Sequence, residues 1–576
     1  MAGWARTLHL SPQLSEGVIA QDLRVRKGTM TTDEGARRLE EIQKDPGVSL
    51  LDWGMDVLGL PSSWPVMACE RLPETIRVQR LHSDVNEVRN ILSSFGAQPL
   101  PWYGDGWVLP WARQRPSSEK VGEILRRLHH TGRATLQEAA SMLPPVLLRP
   151  EPGQVILDLC AAPGSKTTQI AELTDDEAVV IANEPNRGRS NMLATNRSRV
   201  GHRSVIVTSS DGRHYPRLPA PGADAVLVDA PCTGTGTTRK NPNVWWTWKP
   251  NMAVRMHRLQ VDLMVRAAHL IKGGGRLMYS TCSLDPIENE AVVAEVLRRC
   301  AWLDLEPIDR TTLSDVACAG GMEEWSVSPK LRNPPPSAIM DQRADGASLS
   351  RTLRLWQDGN HGGFFVASLV STDESGATAR GLIPSGVDER PIGSGPTPFE
   401  PRPLEQEDYA RLAKEWGDVA SGALAELGMK RGKRWFAVTD TARTSIHDCV
   451  TDGGKGVLHP SQAWAPLRVE HAGVTVFKEE KYGLRPVREG LRWMARHLVD
   501  RTTVVPLETA MMLLQETQVD ITEILGDSQV KTGSYLIGVE GTGHVIPVFV
   551  NQRLSLMVDE DERQMLLLML GSEHLA

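Results

Sequence analysis

The sequence predicts an α/β fold: a mainly parallel sheet with helices on both faces, preceded by a small α+β unit and followed by a second α+β domain. Three observations predict it. Between residues 150 and 370, short β-rich runs alternate with helical patterns, namely VILDLC (155–160), AVVIAN (178–183), SVIVTS (204–209), DAVLVDA (224–230), GRLMYST (275–281) and GGFFVASLV (362–370). Such alternation marks a sheet wound with crossover helices. Upstream, the alternating stretch IRVQRL (76–81), the helical stretch DVNEVRNILSSFG (84–96) and the apolar stretch GDGWVLPW (104–111) form a small unit, with Asp84 expected to cap its helix. Downstream, strand-like pieces KRWFAVTD (433–440), VTVFKEE (474–480), SYLIGVEG (534–541) and HVIPVFVN (544–551) surround the helical stretch GLRWMARHLV (490–499).

These readings divide the chain into an N-terminal extension without a motif (1–74), the small α+β unit (75–149), the alternating α/β domain (150–370), a polar linker (371–405) and a C-terminal α+β domain (406–576). The segment from Asp309 to Ser350, rich in Ser, Pro and Gly, interrupts the alternation and reads as a long loop. At 576 residues, with 40% hydrophobic and 23% charged residues, the chain is ordinary globular material long enough for several domains. It has no run of 18 apolar residues and no apolar centre near its start, so neither a membrane span nor a secretory signal is expected. A nuclear or cytoplasmic protein is expected; a mitochondrial presequence would rest on Arg6 and His9 in an acid-poor opening stretch. The seven cysteines (69, 160, 232, 282, 300, 318 and 449) form no C-x-x-C pair, so no zinc module or other metal site is expected. A net charge of −7 excludes a protein that lives on bulk attraction to phosphate; any nucleic-acid surface must be local.

Chemistry concentrates at the ends of the strand runs. After VILDLC comes a small-residue turn, Cys160-Ala161-Ala162-Pro163-Gly164, with a helix opening at about Ser165. Small residues there let a ligand approach the backbone, and a helix N-terminus favours polar or negative groups. The turn lacks the spacing of a Walker A loop and of a dinucleotide fingerprint. Glu184 follows the second run and Asp211 the third, both where open sheets bind ligands; an acid there is by itself more often a turn or helix cap, but registration with the first motif favours the ligand role. The fourth run ends in Asp229-Ala230-Pro231-Cys232 and the fifth in Ser280-Thr281-Cys282-Ser283, so two thiols and a carboxylate arrive at neighbouring strand ends. A lone Cys there would be a small core residue; two beside an acid suggest a reactive site.

At these motifs the sequence resembles the Sun-domain family of RNA cytosine-5 methyltransferases, and within it the eukaryotic tRNA branch. The matching stretches are LQEAASMLPPVLL, LDLCAAPGSKTTQI, VDAPCTGTGTTRKNPNVWWTW, GGRLMYSTCSLDPIENEAVVAEVL and DGNHGGFFVASLV, covering about Thr131 to Val370 in the family's order. The resemblance implies a Rossmann-like S-adenosylmethionine-dependent methyltransferase core, with a C-terminal domain of PUA-like type by analogy with relatives. It implies S-adenosyl-L-methionine as cofactor, held by Cys160, Ala161, Ala162, Pro163, Gly164, Ser165, Lys166, Glu184, Asp211 and Asp229. It implies Cys282 as nucleophile and Cys232 as the thiol that assists release. DNA cytosine methyltransferases attack with the Pro-Cys thiol instead, so possession of both thiols points to RNA. Two positions depart from the pattern: Leu136 where Arg is expected, and Glu184 where Asp is more usual.

The chemistry accounts for these groups. Carbon 5 of cytosine is too weak a nucleophile to take a methyl group unaided, and covalent addition of a thiolate at carbon 6 activates it. Asp229, near the base's N3, would stabilise the resulting charge, and a neighbouring cation such as Lys166 favours the thiolate. The base must be unpaired or flipped out. The stretch from Arg239 to Lys249, with Trp245, Trp246 and Trp248, combines cations and aromatics suited to RNA, or else is a Trp cluster packed under the sheet. The Arg-rich stretch 186–203 reads as a solvated helix face or an RNA contact. The expected partner is RNA, foremost tRNA, with rRNA or mRNA and an inactive RNA-binding scaffold as the alternatives, and a monomer is expected.

Overall fold

Each apolar run between residues 150 and 370 forms a strand, and successive residues along it point to opposite faces. Ile156, Val180, Val205, Val207 and Leu227 enter one hydrophobic core. Their neighbours Leu157, Val179, Ile181, Ile206, Val226 and Val228 enter another. Both faces are covered, which is why these strands read as nearly unbroken apolar runs. The computed structural model describes residues 32–572 apart from 217, 219–220, 314–315, 329, 332–347, 358, 374–400, 445–467 and 526–529. The first 31 residues, most of the expected linker and much of the loop expected between Asp309 and Ser350 lie outside the described residues.

In the small unit, β1 (Pro73–Val78), β2 (Gln98–Leu100), β3 (Tyr103–Ala112) and β4 (Ala134–Leu136) form an antiparallel sheet in the order β2-β3-β1-β4. The central sheet contains β5 (Val155–Asp158), β6 (Val179–Asn183), β7 (Val205–Thr208), β8 (Ala223–Asp229), β9 (Ile271–Thr281), β10 (Leu303–Glu306), β11 (Cys318–Gly320), β12 (Leu353–Leu355) and β13 (Phe364–Ser371). Its order is β11-β12-β13-β9-β8-β5-β6-β7, with β10 pairing with β13. The stretch β9-β8-β5-β6-β7 is parallel, and β13 returns antiparallel against β9. One face is covered by the helix Asn251–Leu270, through Val261, Met264 and Ala267. The other is covered by the helices Ala139–Leu148, Ser165–Leu173 and Arg187–Val200, through Leu143, Ile170 and Leu193.

The segment expected as one C-terminal domain is divided. Among the described residues, two five-stranded sheets form, the first opening with the strand Arg402–Pro403 inside the segment expected as linker, and the strand Val469–Ala472 leaves both to pair antiparallel with β7. The C-terminal helix Glu560–Ser572 returns to the small unit, where Met565 and Met569 share a core with Ile76 and Leu128. This arrangement also changes the role of Asp84. The helix Val85–Ser94 begins after it, but the Asp84 side chain makes no capping bond. Its buried carboxylate instead meets Arg133 Nε and His82 Nδ1, each at 2.6 Å, and Arg133 reaches on to Glu562 at 2.7 Å. Burial disfavours the charged form of Asp84 and pushes its carboxyl up, but His82 and Arg133 outweigh it and hold the carboxyl well below the usual range.

A second buried pair secures the antiparallel side of the central sheet. Arg354, on β12, grips Glu290 at the start of the helix Glu290–Arg299 through two bonds of 2.5 Å, with almost no exposure of either residue. Glu290 also accepts from the Met322 amide at 2.9 Å. Removing one partner strands the other charge away from water. Arg354→Met is therefore expected to lower folding stability by about 3–5 kcal/mol, read as a shift in the denaturant midpoint.

Candidate active site

The order β7-β6-β5-β8-β9 reverses direction between β5 and β8, and the crevice beyond the carboxyl ends of such strands is where open sheets take ligands. A cleft of about 360 Å³ lies there. One side comes from the turn after β5 and the end of β8: Cys160, Ala161, Ala162, Pro163, Ser165, Lys166 and Asp229, with Cys282 from the end of β9. The other side comes from the small unit, including Thr75, Arg113, Leu136 and Gln137. The turn after β5 can be this tight because Gly164 has φ +105°, and a Cβ there would meet the Leu193 side chain at 2.7 Å. The helix then opens at Ser165, as the sequence predicts.

Lys166 is buried, and its Nζ donates to Asp229 Oδ2 at 2.6 Å and to Ser141 Oγ at 2.8 Å. The second oxygen of Asp229 accepts from Ser280 Oγ at 2.7 Å, so the carboxylate is held from both sides. Asp158, at the end of β5, also lines the cleft. Its Oδ2 accepts from Thr167 Oγ1 at 2.7 Å, while its Oδ1 is buried with no hydrogen-bond partner among the described residues. Burial, aided by the charge of Asp229, pushes the Asp158 carboxyl up to about 7. An acid raised on folding favours its protonated form in the native state, so stability is lost as pH rises from the carboxylate range through 7. Asp158→Asn is accordingly expected to raise the melting temperature at pH 8 and leave it nearly unchanged at pH 4, by thermal denaturation at both values.

The two thiols meet: Cys232 Sγ and Cys282 Sγ are 3.3 Å apart. The hydrogen bond with Cys282, then burial, push the Cys232 thiol well above its usual range. The loops carrying them are fastened by buried Glu288, which accepts from the Thr233 amide at 2.9 Å, from Ser283 Oγ at 2.7 Å and from Gln260 Nε2 at 3.1 Å. A backbone bond from Gly236 N to Cys282 O, 2.9 Å, adds a further tie. Glu288 was not singled out by sequence, because an acid in an acid-rich helical start carries no distinguishing pattern.

Glu184 and Asp211 follow β6 and β7 at the same edge of the sheet but do not line this cleft. Glu184 accepts from the Asn186 amide at 2.8 Å and lies 3.3 Å from Arg189. Asp211 is half-exposed and bound by Arg213 at 2.6 Å, which holds its carboxyl below the usual range. Asn183, another residue the sequence gave no reason to choose, ties the three loops: its side chain donates to Leu159 O and Ser210 O and accepts from Ser210 N at 2.9 Å.

Of the two readings of the stretch from Arg239 to Lys249, the packed Trp cluster is the one that holds for Trp245 and Trp248. Trp245 and Trp248 are buried and pack against Trp64 and Trp53, with centroids 5.5 and 5.0 Å apart. Arg239 is buried and donates to the carbonyls of Gly359 and His361 at 3.1 Å. The N-terminal segment thus supplies packing partners for the loop after the Pro-Cys motif, which is what turns its aromatics inward. In the Arg-rich stretch, Arg187 and Arg189 lie on an exposed face, whereas Arg197 and Arg203 are buried and Arg199 donates to His129 O at 2.6 Å and Ala134 O at 3.1 Å, so the stretch is solvated in its first half and internal in its second.

A model of the 16S rRNA methyltransferase RsmB/F family matches residues 145–370. The multisite-specific tRNA:(cytosine-C(5))-methyltransferase of Saccharomyces cerevisiae is 34% identical over 310 residues, 48% of this chain and 45% of that protein. The tRNA (cytosine(49)-C(5))-methyltransferase of Pyrococcus abyssi is 39% identical over 230 residues, 40% of this chain and 71% of that protein. The ribosomal RNA small subunit methyltransferase F of Pectobacterium carotovorum is 37% identical over 246 residues, 42% of this chain and 49% of that protein. The chain thus spans about half the length of two of these relatives. A crystal structure of a methyltransferase homologue from Pyrococcus horikoshii is 26% identical, covering 58% of this chain and 98% of that one with a TM-score of 0.43. On the strength of the matched core and the coverage of the archaeal relative, the chain belongs to the RsmB/F family of RNA cytosine-5 methyltransferases.

Proposed function

We propose that this protein transfers a methyl group from S-adenosylmethionine to carbon 5 of cytosine in RNA, and that its substrate is tRNA. The observation that carries the reading is the approach of two thiols, Cys232 and Cys282, to 3.3 Å beside a cleft that also holds the Lys166–Asp229 pair. The residues fit the cofactor. Small Ala161 and Ala162 line the cleft, Glu184 and Asp211 stand outside its lining after β6 and β7 as acids of the type that takes ribose hydroxyls, and the buried Asp158 Oδ1 has no hydrogen-bond partner among the described residues. When bound, S-adenosylmethionine supplies the methyl group as an electrophile.

The chain's own residues do the rest. Cys282 adds to carbon 6 of the base, and the proton its thiol gives up reaches N3 through Asp229, held by Lys166 and Ser280, which neutralises the charge that spreads there. After methylation the carbon 5 and N3 protons pass to solvent water, the electron pair of the C5–H bond re-forms C5=C6, the sulfur of Cys282 departs, and Cys232 is reprotonated from solvent once it has given up its proton. Cys232 retains its proton, because its thiol is pushed up, and donates to the departing sulfur. The tRNA reading is supported by the names of the yeast and archaeal relatives; the ribosomal reading is favoured by the family model's description and the Pectobacterium relative.

Labelled methyl from S-adenosylmethionine, offered with separated tRNA and rRNA fractions, tests both. Label recovered as 5-methylcytidine in tRNA is the expected result. Label confined to rRNA would replace the substrate, and label in neither, with cofactor bound, would overturn the activity.

A further inference from the structure

Lys166 carries three N–H groups on a buried ammonium, and two are committed, to Asp229 Oδ2 and to Ser141 Oγ. The Phe364 ring lies below it, 5.5 Å from Nζ to the centroid. Ser141 belongs to the helix Ala139–Leu148, which follows β4 and so links the small unit to the catalytic sheet. Its position is fixed from the small unit's side. Gln137 Nε2 donates to Ser141 O at 3.2 Å, and Gln137 Oε1 accepts from Arg77 Nε at 2.9 Å. Arg77 is buried on β1 and reaches the helix that bears Lys166, donating to Thr168 Oγ1 at 2.9 Å and Ser165 O at 3.3 Å. The bonds close a ring: Lys166 to Ser141, Ser141 to Gln137, Gln137 to Arg77, and Arg77 back to the helix of Lys166.

A flexible ammonium on four methylenes has no intrinsic preference for one oxygen. Within this ring its location is referenced to the small unit, because Ser141 Oγ is a second acceptor beside Asp229 and limits where the ammonium can sit. We propose that Ser141 is a positioning residue of the methyl-transfer reaction, acting through Lys166 to hold the Asp229 carboxylate in place against the base. The proposal rests on the cytosine-5 reading above. Ser141 also lines the cleft, so its effect is exerted next to the reacting base and not from a distance.

The test is a double-mutant cycle on the full chain, with Ser141→Ala, Lys166→Met and the pair, assayed for kcat and KM with the RNA that the wild type methylates. Ser141→Ala is expected to lower kcat about tenfold, the cost of one hydrogen bond felt in the transition state. KM for RNA, cofactor affinity and melting temperature are expected to stay near wild type, and Ser141→Thr, which keeps the hydroxyl, to recover most of the rate. In the Lys166→Met background the Ser141 substitution is expected to add nothing. Unchanged kcat in Ser141→Ala, or full additivity with Lys166→Met, would overturn the proposal, as would a loss explained by weakened cofactor binding or stability. A wild type that methylates no RNA overturns the functional reading itself, whereas an active wild type indifferent to Ser141 overturns only this inference.

Discussion

Cys282→Ala is expected to reduce methyl transfer to background, a loss on the order of a thousandfold or more, as removal of a covalent nucleophile generally does. Cofactor affinity is expected to change little, because Lys166 and Asp229, two of the residues proposed to hold the cofactor, are held by contacts that do not involve the Cys282 side chain. The backbone tie from Gly236 N to Cys282 O survives the substitution, so the loop keeps its course. Transfer of labelled methyl and equilibrium binding of S-adenosylmethionine, measured on the same preparation, separate the two effects. Parallel loss of binding would show that Cys282 is structural. Substantial residual transfer would identify Cys232, 3.3 Å away, as an alternative attacking thiol and would exchange the two roles.

Cys232→Ala is expected to stop the cycle at its end. On the proposed mechanism, attack and methylation need Cys282 and Asp229, which remain, while departure of the sulfur loses its neighbouring donor. A protein–RNA adduct stable to denaturant should accumulate after a single turnover, while multiple turnover falls by about a hundredfold, the scale of losing a positioned general acid. The adduct is read as an RNase-sensitive shift on a denaturing gel, and the Cys232→Ala, Cys282→Ala double variant should abolish it. An adduct formed by Cys282→Ala and not by Cys232→Ala would reverse the assignment.

Much of the central sheet could be read before any coordinates. The six apolar runs from VILDLC to GGFFVASLV are local patterns, and each becomes a strand because burial on both faces requires only that nearly every residue be apolar. The cleft was legible for a related reason: its turn, thiols and carboxylate sit at strand ends, so predicting the strands predicted where these groups emerge. Reading failed where a residue's partner lay far along the chain. Asp84 carries the signature of a helix cap, yet two basic side chains, one of them 49 residues on, take its carboxylate. For Trp245 and Trp248 the composition left an RNA-stacking platform and a packed Trp cluster both open, and the distant Trp64 and Trp53 decide for the packed cluster.

By itself, then, the sequence determined the order of the strands along the chain, the glycine at the turn after β5 and the chemical groups delivered to the strand ends. Tertiary structure decided that Cys232 and Cys282 touch, that Glu288 and Asn183 fasten their respective loops, and that Arg77, Arg197 and Arg354 are internal. The physical reason is the range of the forces involved. Backbone preference and apolar periodicity act between neighbours and can be counted along a chain. A buried charge or polar side chain is stable only with its partners in place, and those partners are supplied by the fold.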